Sequence, residues 1–313
     1  MNWEIREKRA SELTAELRDR IAADAGAIMI FLGAGLSYGV GRQLGRAAFD
    51  LPRASLDDRR FPSWSQMIDR MRQELLAAEA DADTRSALER FFGEQDPLDT
   101  AQLYRQRVGE ARYQAFLREQ FETRSADAEA LTPSHQALVQ LPIGKLFTTN
   151  YDRLIELAYQ RWGGDLTVAT TPEEFLAQEV DRPRPHLIKL HGDIEQPRTI
   201  VLTRDDYAGS RLARAEMFRH FEQQARFSSF LFVGFSLRDP TFNLLRDEAR
   251  MVMGSNMPAS YLVQEHKDPI TEEYLAHIGV QVIELFSWNE LPRFLHQLNP
   301  AVGGSSDTGH AAT

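Results

Sequence analysis

The sequence predicts an α/β protein, with a mostly parallel sheet, helices on both faces and one helical insertion. Three observations carry this. Short apolar runs alternate with helical segments in the second half of the chain: Lys145 to Thr148, His186 to Leu190, Ser229 to Gly234, Tyr261 to Val263 and Val280 to Leu285. An earlier run, Ala27 to Leu32, leads directly into a glycine turn at Gly33. Between the two zones, from about Trp64 to Gln140, the pattern is helical with no convincing strand. Sheets of this kind hold ligands beyond the carboxyl ends of their strands, so the informative residues are expected just after each run.

Met1 to Asp24 reads as an amphipathic helix, with Leu13, Leu17 and Ile21 at helical spacing. It lacks the basic start and apolar stretch of an export segment, which leads us to expect a cytoplasmic protein. No apolar run approaches the roughly 18 residues of a membrane span. The chain has 313 residues, 42% of them hydrophobic and 26% charged, as in an ordinary globular protein. It contains no cysteine, which excludes disulfides, thiolate nucleophiles and zinc sites built on sulfur. A formal net charge of −10 argues against direct binding of nucleic acid through phosphate neutralisation.

Gly33-Ala34-Gly35-Leu36-Ser37 follows the first run. Glycine allows a tight turn and a close backbone approach to pyrophosphate, which makes the sheet Rossmann-like. Tyr38 stands where a standard dinucleotide fingerprint has glycine. From Tyr38 to Arg60 a long, net positive stretch carries Arg42, Arg46, Arg53, Arg59 and Arg60, and reads either as a flap over an anionic ligand or as a solvated loop.

Phe147-Thr148-Thr149-Asn150-Tyr151-Asp152 closes the second run and opens a helix. Asp152 suits a helix cap, whereas Asn150 offers an uncharged donor and acceptor for a water or a carboxamide. Thr132 and Pro133 read as the cap and first residue of the helix before that run. In Leu190-His191-Gly192-Asp193, His191 stands at a strand end and has the intrinsic pKa of a general base. His135 and His186 lack that context and are assigned to packing or surface. Gly234 and Ser236 form a second strand-end turn able to meet phosphate or ribose, and Asp239 with Pro240 reads as a helix start. Thr203 to Asp206 matches a capping box, and Glu265, after the Tyr261 run, could accept from an adenosine ribose.

Taken in order, Gly33 to Ser37, Thr148 to Asp152, Leu190 to Asp193 and Gly234 to Ser236 resemble the sirtuin family. The Thr-Thr-Asn-Tyr-Asp form is similar to the sirtuin-like NAD hydrolases of bacterial antiphage defence. The resemblance implies NAD⁺ as substrate, with Gly33, Ala34, Gly35 and Ser37 at its phosphates and nearby ribose. It implies Asn150 and Asp152 in the nicotinamide pocket, His191 beside the nicotinamide ribose, and Gly234 and Ser236 beside the adenosine half. Deacylating sirtuins carry a four-cysteine zinc ribbon after the histidine; this chain has no cysteine there, which disfavours deacylation and leaves no metal expected.

The division expected on this basis is an N-terminal helix (1–26), a sirtuin-like NAD-binding domain (27–300, with its helical insertion at about 64–140) and a disordered tail (301–313). The expected activity is hydrolysis of NAD⁺ to nicotinamide and ADP-ribose, depleting NAD⁺ on infection. The alternatives are an NAD⁺ or ADP-ribose sensor without catalysis, or a deacylase. Family precedent adds homo-oligomerisation, or docking onto a partner such as a HerA-type ATPase or a short Argonaute, as the means of activation.

Overall fold

The computed structural model describes residues 3–41, 60–178, 185–237, 243, 247, 251, 254–265 and 268–302. The chain begins with helix α1 (Trp3–Ala23), strand β1 (Ile28–Leu32) and the short helix α2 (Ala34–Ser37). The stretch that follows is helical, as its periodicity predicts. It comprises α3 (Trp64–Ala78), α4 (Ala82–Glu94), α5 (Pro97–Phe121), a 3₁₀ turn (Ser125–Ala130) and α6 (Pro133–Val139). Its punctuation is local. Ser63 and Gln66 form a capping box on α3, Asp81 and Asp96 cap α4 and α5, and Gly109, at φ 77°, breaks α5.

Strands and helices then alternate. β2 (Lys145–Thr148) is followed by α7 (Leu154–Ala158) and a π turn (Tyr159–Gly163). Next come β3 (Thr167–Ala169), α8 (Pro172–Gln178), β4 (His186–Lys189), α9 (Arg204–Ala213) and α10 (Ala215–Ala225). The remaining elements are β5 (Ser229–Val233), β6 (Ser260–Gln264), α11 (Pro269–His277), β7 (Val280–Glu284) and α12 (Leu291–Gln297). The seven strands form one sheet in the order β3-β4-β2-β1-β5-β6-β7, and every pairing is parallel. β3 is an addition to the strands expected from sequence.

Alternation along the strands sorts the core into two faces, as a period of two requires. Ile28, Ile30, Leu32, Leu146, Leu187, Leu231 and Val233 face α1, α6, α7 and α12. Met29, Phe31, Phe147, Ile188, Phe230 and Phe232 face α8, α10 and α11. On that second face the phenylalanines stack, with Phe31 4.5 Å from Phe235 and Phe221 4.8 Å from Phe230 between ring centroids. A third apolar cluster lies within α3, α4 and α5 and reaches Tyr151, Leu154 and Ile200. The helical block is thereby packed against the loops at the carboxyl end of the sheet.

The two histidines assigned to packing or surface behave accordingly. His135 is fully buried and caps α6, its Nδ1 lying 3.3 Å from the Thr132 N–H and 2.8 Å from Thr132 Oγ1. His186 opens β4, half-buried. Thr203 and Asp206 form the expected capping box on α9. Most of the arginine-rich stretch (42–59), the Asp239-Pro240 helix start and residues 303–313 lie outside the described residues. Of that stretch Arg60 is described, and it is tied down: its N–H donates to Val40 O at 3.0 Å and its guanidinium pairs with Asp127 at 3.1 Å.

Candidate functional site

The chain lays strands outward from β1 through β2 to β4 and β3, then returns to the other side of β1 with β5. The order therefore reverses between β1 and β5, and such a switch point leaves a crevice beyond the carboxyl ends of the two strands. The four turns singled out in the sequence follow β1, β2, β4 and β5, which are consecutive in the sheet.

At the switch point two glycine turns interlock. The Gly33 N–H donates to Val233 O at 3.0 Å and the Gly35 N–H to Gly234 O at 2.8 Å. A Cβ on Gly33 would stand 2.4 Å from Gly234 O, and one on Gly234, whose φ is +65°, would stand 2.5 Å from Leu36 N. Only glycine permits this approach. The N–H groups of Gly33, Gly35 and Leu36 are thus engaged within the protein, while Ala34 is exposed at the crown of the turn.

Asn150 is brought to this turn from β2. Thr148 Oγ1 donates to Leu32 O at 2.9 Å and accepts the Asn150 N–H at 3.0 Å, so one hydroxyl fixes the Asn150 backbone to β1. The Asn150 amide nitrogen donates to Gly33 O at 3.2 Å and to Ser37 Oγ at 3.0 Å. A carbonyl oxygen can only accept, so the orientation of the amide is determined, and neither contact uses Oδ1. The Ser37 hydroxyl in turn donates to Asp152 Oδ2 at 2.9 Å, and Asp152 Oδ1 accepts the Leu154 N–H at 3.2 Å ahead of α7. Asp152 is buried, and burial pushes its carboxyl above the usual carboxylate range against the opposing pull of Lys189 and Ser37.

His191 stands two residues beyond Lys189, as Asn150 stands two beyond Thr148, and Thr148 and Lys189 are register partners. Asn150 and His191 therefore sit in the turns that follow the paired ends of two adjacent parallel strands. His191 is buried, with its ring edge-on to Tyr207 of α9 at 5.3 Å, and its carbonyl accepts the Val201 N–H at 2.9 Å. Gly234 and Ser236 lie across the switch point on β5, Ser236 exposed. Glu265 follows β6, two strands from β1.

Two buried cations beneath these turns were not singled out in the sequence. The Lys189 ammonium lies against Asp193 Oδ2 at 2.6 Å, Asp152 O at 2.7 Å and Glu156 Oε1 at 3.0 Å. The Arg214 guanidinium, at the junction of α9 and α10, donates to the carbonyls of Lys189, Leu190 and Thr199, which flank His191. Burial lowers its pKa to about 10, against the opposing pull of Tyr151 and Asp206. Among the described residues no three His, Asp or Glu side chains converge as a metal site would require.

A doubly wound parallel sheet with glycine turns interlocked at its switch point is the architecture of a nucleotide-binding α/β protein. Within it, residues 144–283 match the family of the SIR2-like domain. An NAD(+) hydrolase ThsA of Bacillus cereus (strain MSX-D12) is 26% identical over 306 residues, covering 92% of this chain and 56% of the relative. A ThsA of Cytobacillus dafuensis is 32% identical over 171 residues, 52% of this chain and 32% of the relative. Defense-associated sirtuin 2 of Bacillus subtilis is 22% identical over 276 residues, 84% of this chain and 23% of the relative. This chain therefore spans about half the length of the first of these relatives and less of the others. No described helix is long and apolar enough to cross a membrane.

Proposed function

We propose that this chain binds NAD⁺ at the β1/β5 crevice and hydrolyses its nicotinamide–ribose bond, releasing nicotinamide and ADP-ribose. The observation that carries the reading is the Asn150 amide, whose two protons are taken by Gly33 O and Ser37 Oγ, with His191 in the turn after the neighbouring strand. The names of the ThsA relatives support the same chemistry.

Breaking this bond passes through an oxocarbenium-like state at the anomeric carbon, and the pyridinium leaving group is already cationic. No strong general acid is needed. The protein has to place a water and keep the pocket dry. With its nitrogen committed, Asn150 has Oδ1 to accept a hydrogen bond from that water and hold it in line. His191 removes one proton as the water oxygen bonds to the anomeric carbon and nicotinamide leaves with the electrons of the broken bond, or it steadies the ribose hydroxyls. Asp152 holds Ser37, and through it the amide, and anchors the nicotinamide. Ala34, at the crown of the first turn, faces the pyrophosphate together with Gly33 and Gly35, while Gly234 and Ser236 meet the adenosine half and Glu265 its ribose.

We further propose a role in depleting NAD⁺ during infection, switched on by self-association or a partner; the defence name of the Bacillus subtilis relative supports the link to defence. The test is to measure nicotinamide release and NAD⁺ affinity for the purified protein, Asn150→Ala and His191→Ala. Each substitution should lower kcat by about 10²–10⁴-fold and leave affinity within a few-fold. Full turnover in both variants would remove these residues from the reaction.

A further inference from the structure

Lys189 is a fully buried lysine in a central strand, between Ile188 and Leu190. A buried ammonium is tolerated only when paired and hydrogen-bonded, and an apolar replacement of similar size is often no less stable. Its presence therefore calls for a reason beyond stability. The ammonium has three protons and three close acceptors: the main-chain oxygen of Asp152, Asp193 Oδ2 and Glu156 Oε1. Burial works to discharge it, but the carboxylates of Glu156 and Asp193 outweigh that and hold it protonated.

The placement of these acceptors is specific. Lys189 and Asp193 bracket His191 in sequence and are joined by an ion pair of 2.6 Å. The same ammonium reaches across to β2 and takes the Asp152 carbonyl, with the Tyr151 carbonyl at 3.5 Å. The segment from Thr149 to Arg153 belongs to no helix or strand. It is held by the Asn150 N–H on Thr148 Oγ1, the Arg153 N–H on Thr123 Oγ1 at 2.9 Å and the Leu154 N–H on Asp152 Oδ1, by the Asn150 amide on Gly33 O and Ser37 Oγ, and by the Ile194 N–H on Tyr151 O at 3.0 Å and the Tyr151 hydroxyl on Val201 O at 2.9 Å. To these Lys189 adds a charged tie between the turn carrying Asn150 and the end of β4, two residues before His191.

We propose that Lys189 is a positioning residue, whose ammonium grips the Asp152 carbonyl and so holds the Asn150 amide in register with His191. The inference rests on the reading of Asn150 and His191 as the reacting pair.

Lys189→Met alone strands two buried carboxylates and is expected to unfold. The informative variant is therefore the neutralised triple Lys189→Met, Glu156→Gln, Asp193→Asn. Four quantities are compared with the unsubstituted chain: thermal midpoint, NAD⁺ affinity, kcat for nicotinamide release, and hydrogen exchange of the amides of residues 150–154. The triple variant should fold and bind NAD⁺ within about three-fold. It should lose about 100-fold in kcat, the scale of a 1 Å misplacement, and exchange these amides at least about ten-fold faster while β1 and β5 are unchanged. A lysine serving only stability predicts that kcat returns with the thermal midpoint. Unchanged kcat and exchange in a folded triple variant would overturn the proposal. So would a triple variant that cannot fold, since Lys189 would then serve the sheet and not the turn. If the unsubstituted chain binds NAD⁺ but releases no nicotinamide, the hydrolase reading fails, and the exchange rates still decide whether Lys189 holds the turn.

Discussion

The two ends of this sheet are built on opposite plans. At the amino ends of β5, β6 and β7 a cavity of about 350 Å³ lies between α10 and α11, walled by Phe221, Phe230, Met257 and Ile278. At the carboxyl ends of β4, β2, β1 and β5, buried polar groups are joined in series: Asn150 to Ser37, Ser37 to Asp152, and Lys189 beneath them. The amino-end cavity is walled largely by apolar side chains and main chain, with Ser260 and His277 as its polar side chains. The carboxyl end has oriented donors and acceptors, and a reaction requires those first.

The largest effect that would sharpen the contrast is expected at the glycine interlock. Gly234→Ala would add a Cβ 2.5 Å from Leu36 N at a φ of +65°, combining backbone strain with overlap against atoms that cannot rotate away. A loss of about 4 kcal/mol is expected, read as a fall in the urea midpoint at constant slope. A folded Gly234→Ala protein of near-normal stability would mean that the two turns are not interlocked as described.

Phe230→Ala probes the other end. The ring stacks on Phe221 at 4.8 Å and on Phe232 at 5.9 Å, and it lines the amino-end cavity. Removing it should cost about 3 to 4 kcal/mol of stability yet leave NAD⁺ affinity unchanged in protein held folded. A ten-fold loss of NAD⁺ affinity would break the comparison, because it would make the amino-end cavity part of the ligand site.

What could be read in the sequence divides along physical lines. The long helices and the strands buried on both faces were legible, since each repeats its apolar period over several residues. β3 was not. It has three residues, and Thr167 and Val168 on this edge strand are only half-buried, so no apolar run marks it. The turns after β1, β2, β4 and β5 stood out because small and polar residues follow apolar runs abruptly. Lys189 was hidden by its own strand, where a charge reads as a solvated interruption. A lysine between Ile188 and Leu190 does signal a needed partner, but Glu156 and Asp193 become its partners only after β2 and β4 pair. Arg214 was missed for the same reason, as its acceptors are main-chain oxygens that carry no sequence signal.

A buried histidine away from both ends gives a third test. His135 is enclosed, its Nε2 has no hydrogen-bond partner among the described residues, and burial lowers its pKa to about 4 from an ordinary 6.5. In the unfolded chain it takes up a proton near pH 6.5, whereas in the folded chain it resists protonation until about 4. The unfolded state therefore binds more protons between these values, and stability falls as pH falls through that window. The contribution is full above pH 6.5 and amounts to about 3 kcal/mol. His135→Gln keeps an acceptor for the Thr132 N–H and removes the titration. Its stability should fall about 3 kcal/mol less than that of the unsubstituted chain between pH 7 and pH 4, measured by urea midpoints. Parallel pH profiles would show that the acid sensitivity arises elsewhere, with the buried carboxyls of the carboxyl end as the next place to look.

The smallest effect isolates backbone conformation from packing. Gly279, which precedes β7 and lines the amino-end cavity, has a φ of +79°, close to that of Gly234. A Cβ there would meet nothing within 4 Å. Gly279→Ala therefore carries only the conformational penalty and should cost about 1 kcal/mol, against about 4 kcal/mol for Gly234→Ala. The difference between the two measures the interlock itself, because the dihedral strain is nearly common to both. Equal losses would mean that strain alone sets the cost and that the close approach of the two glycine turns contributes nothing.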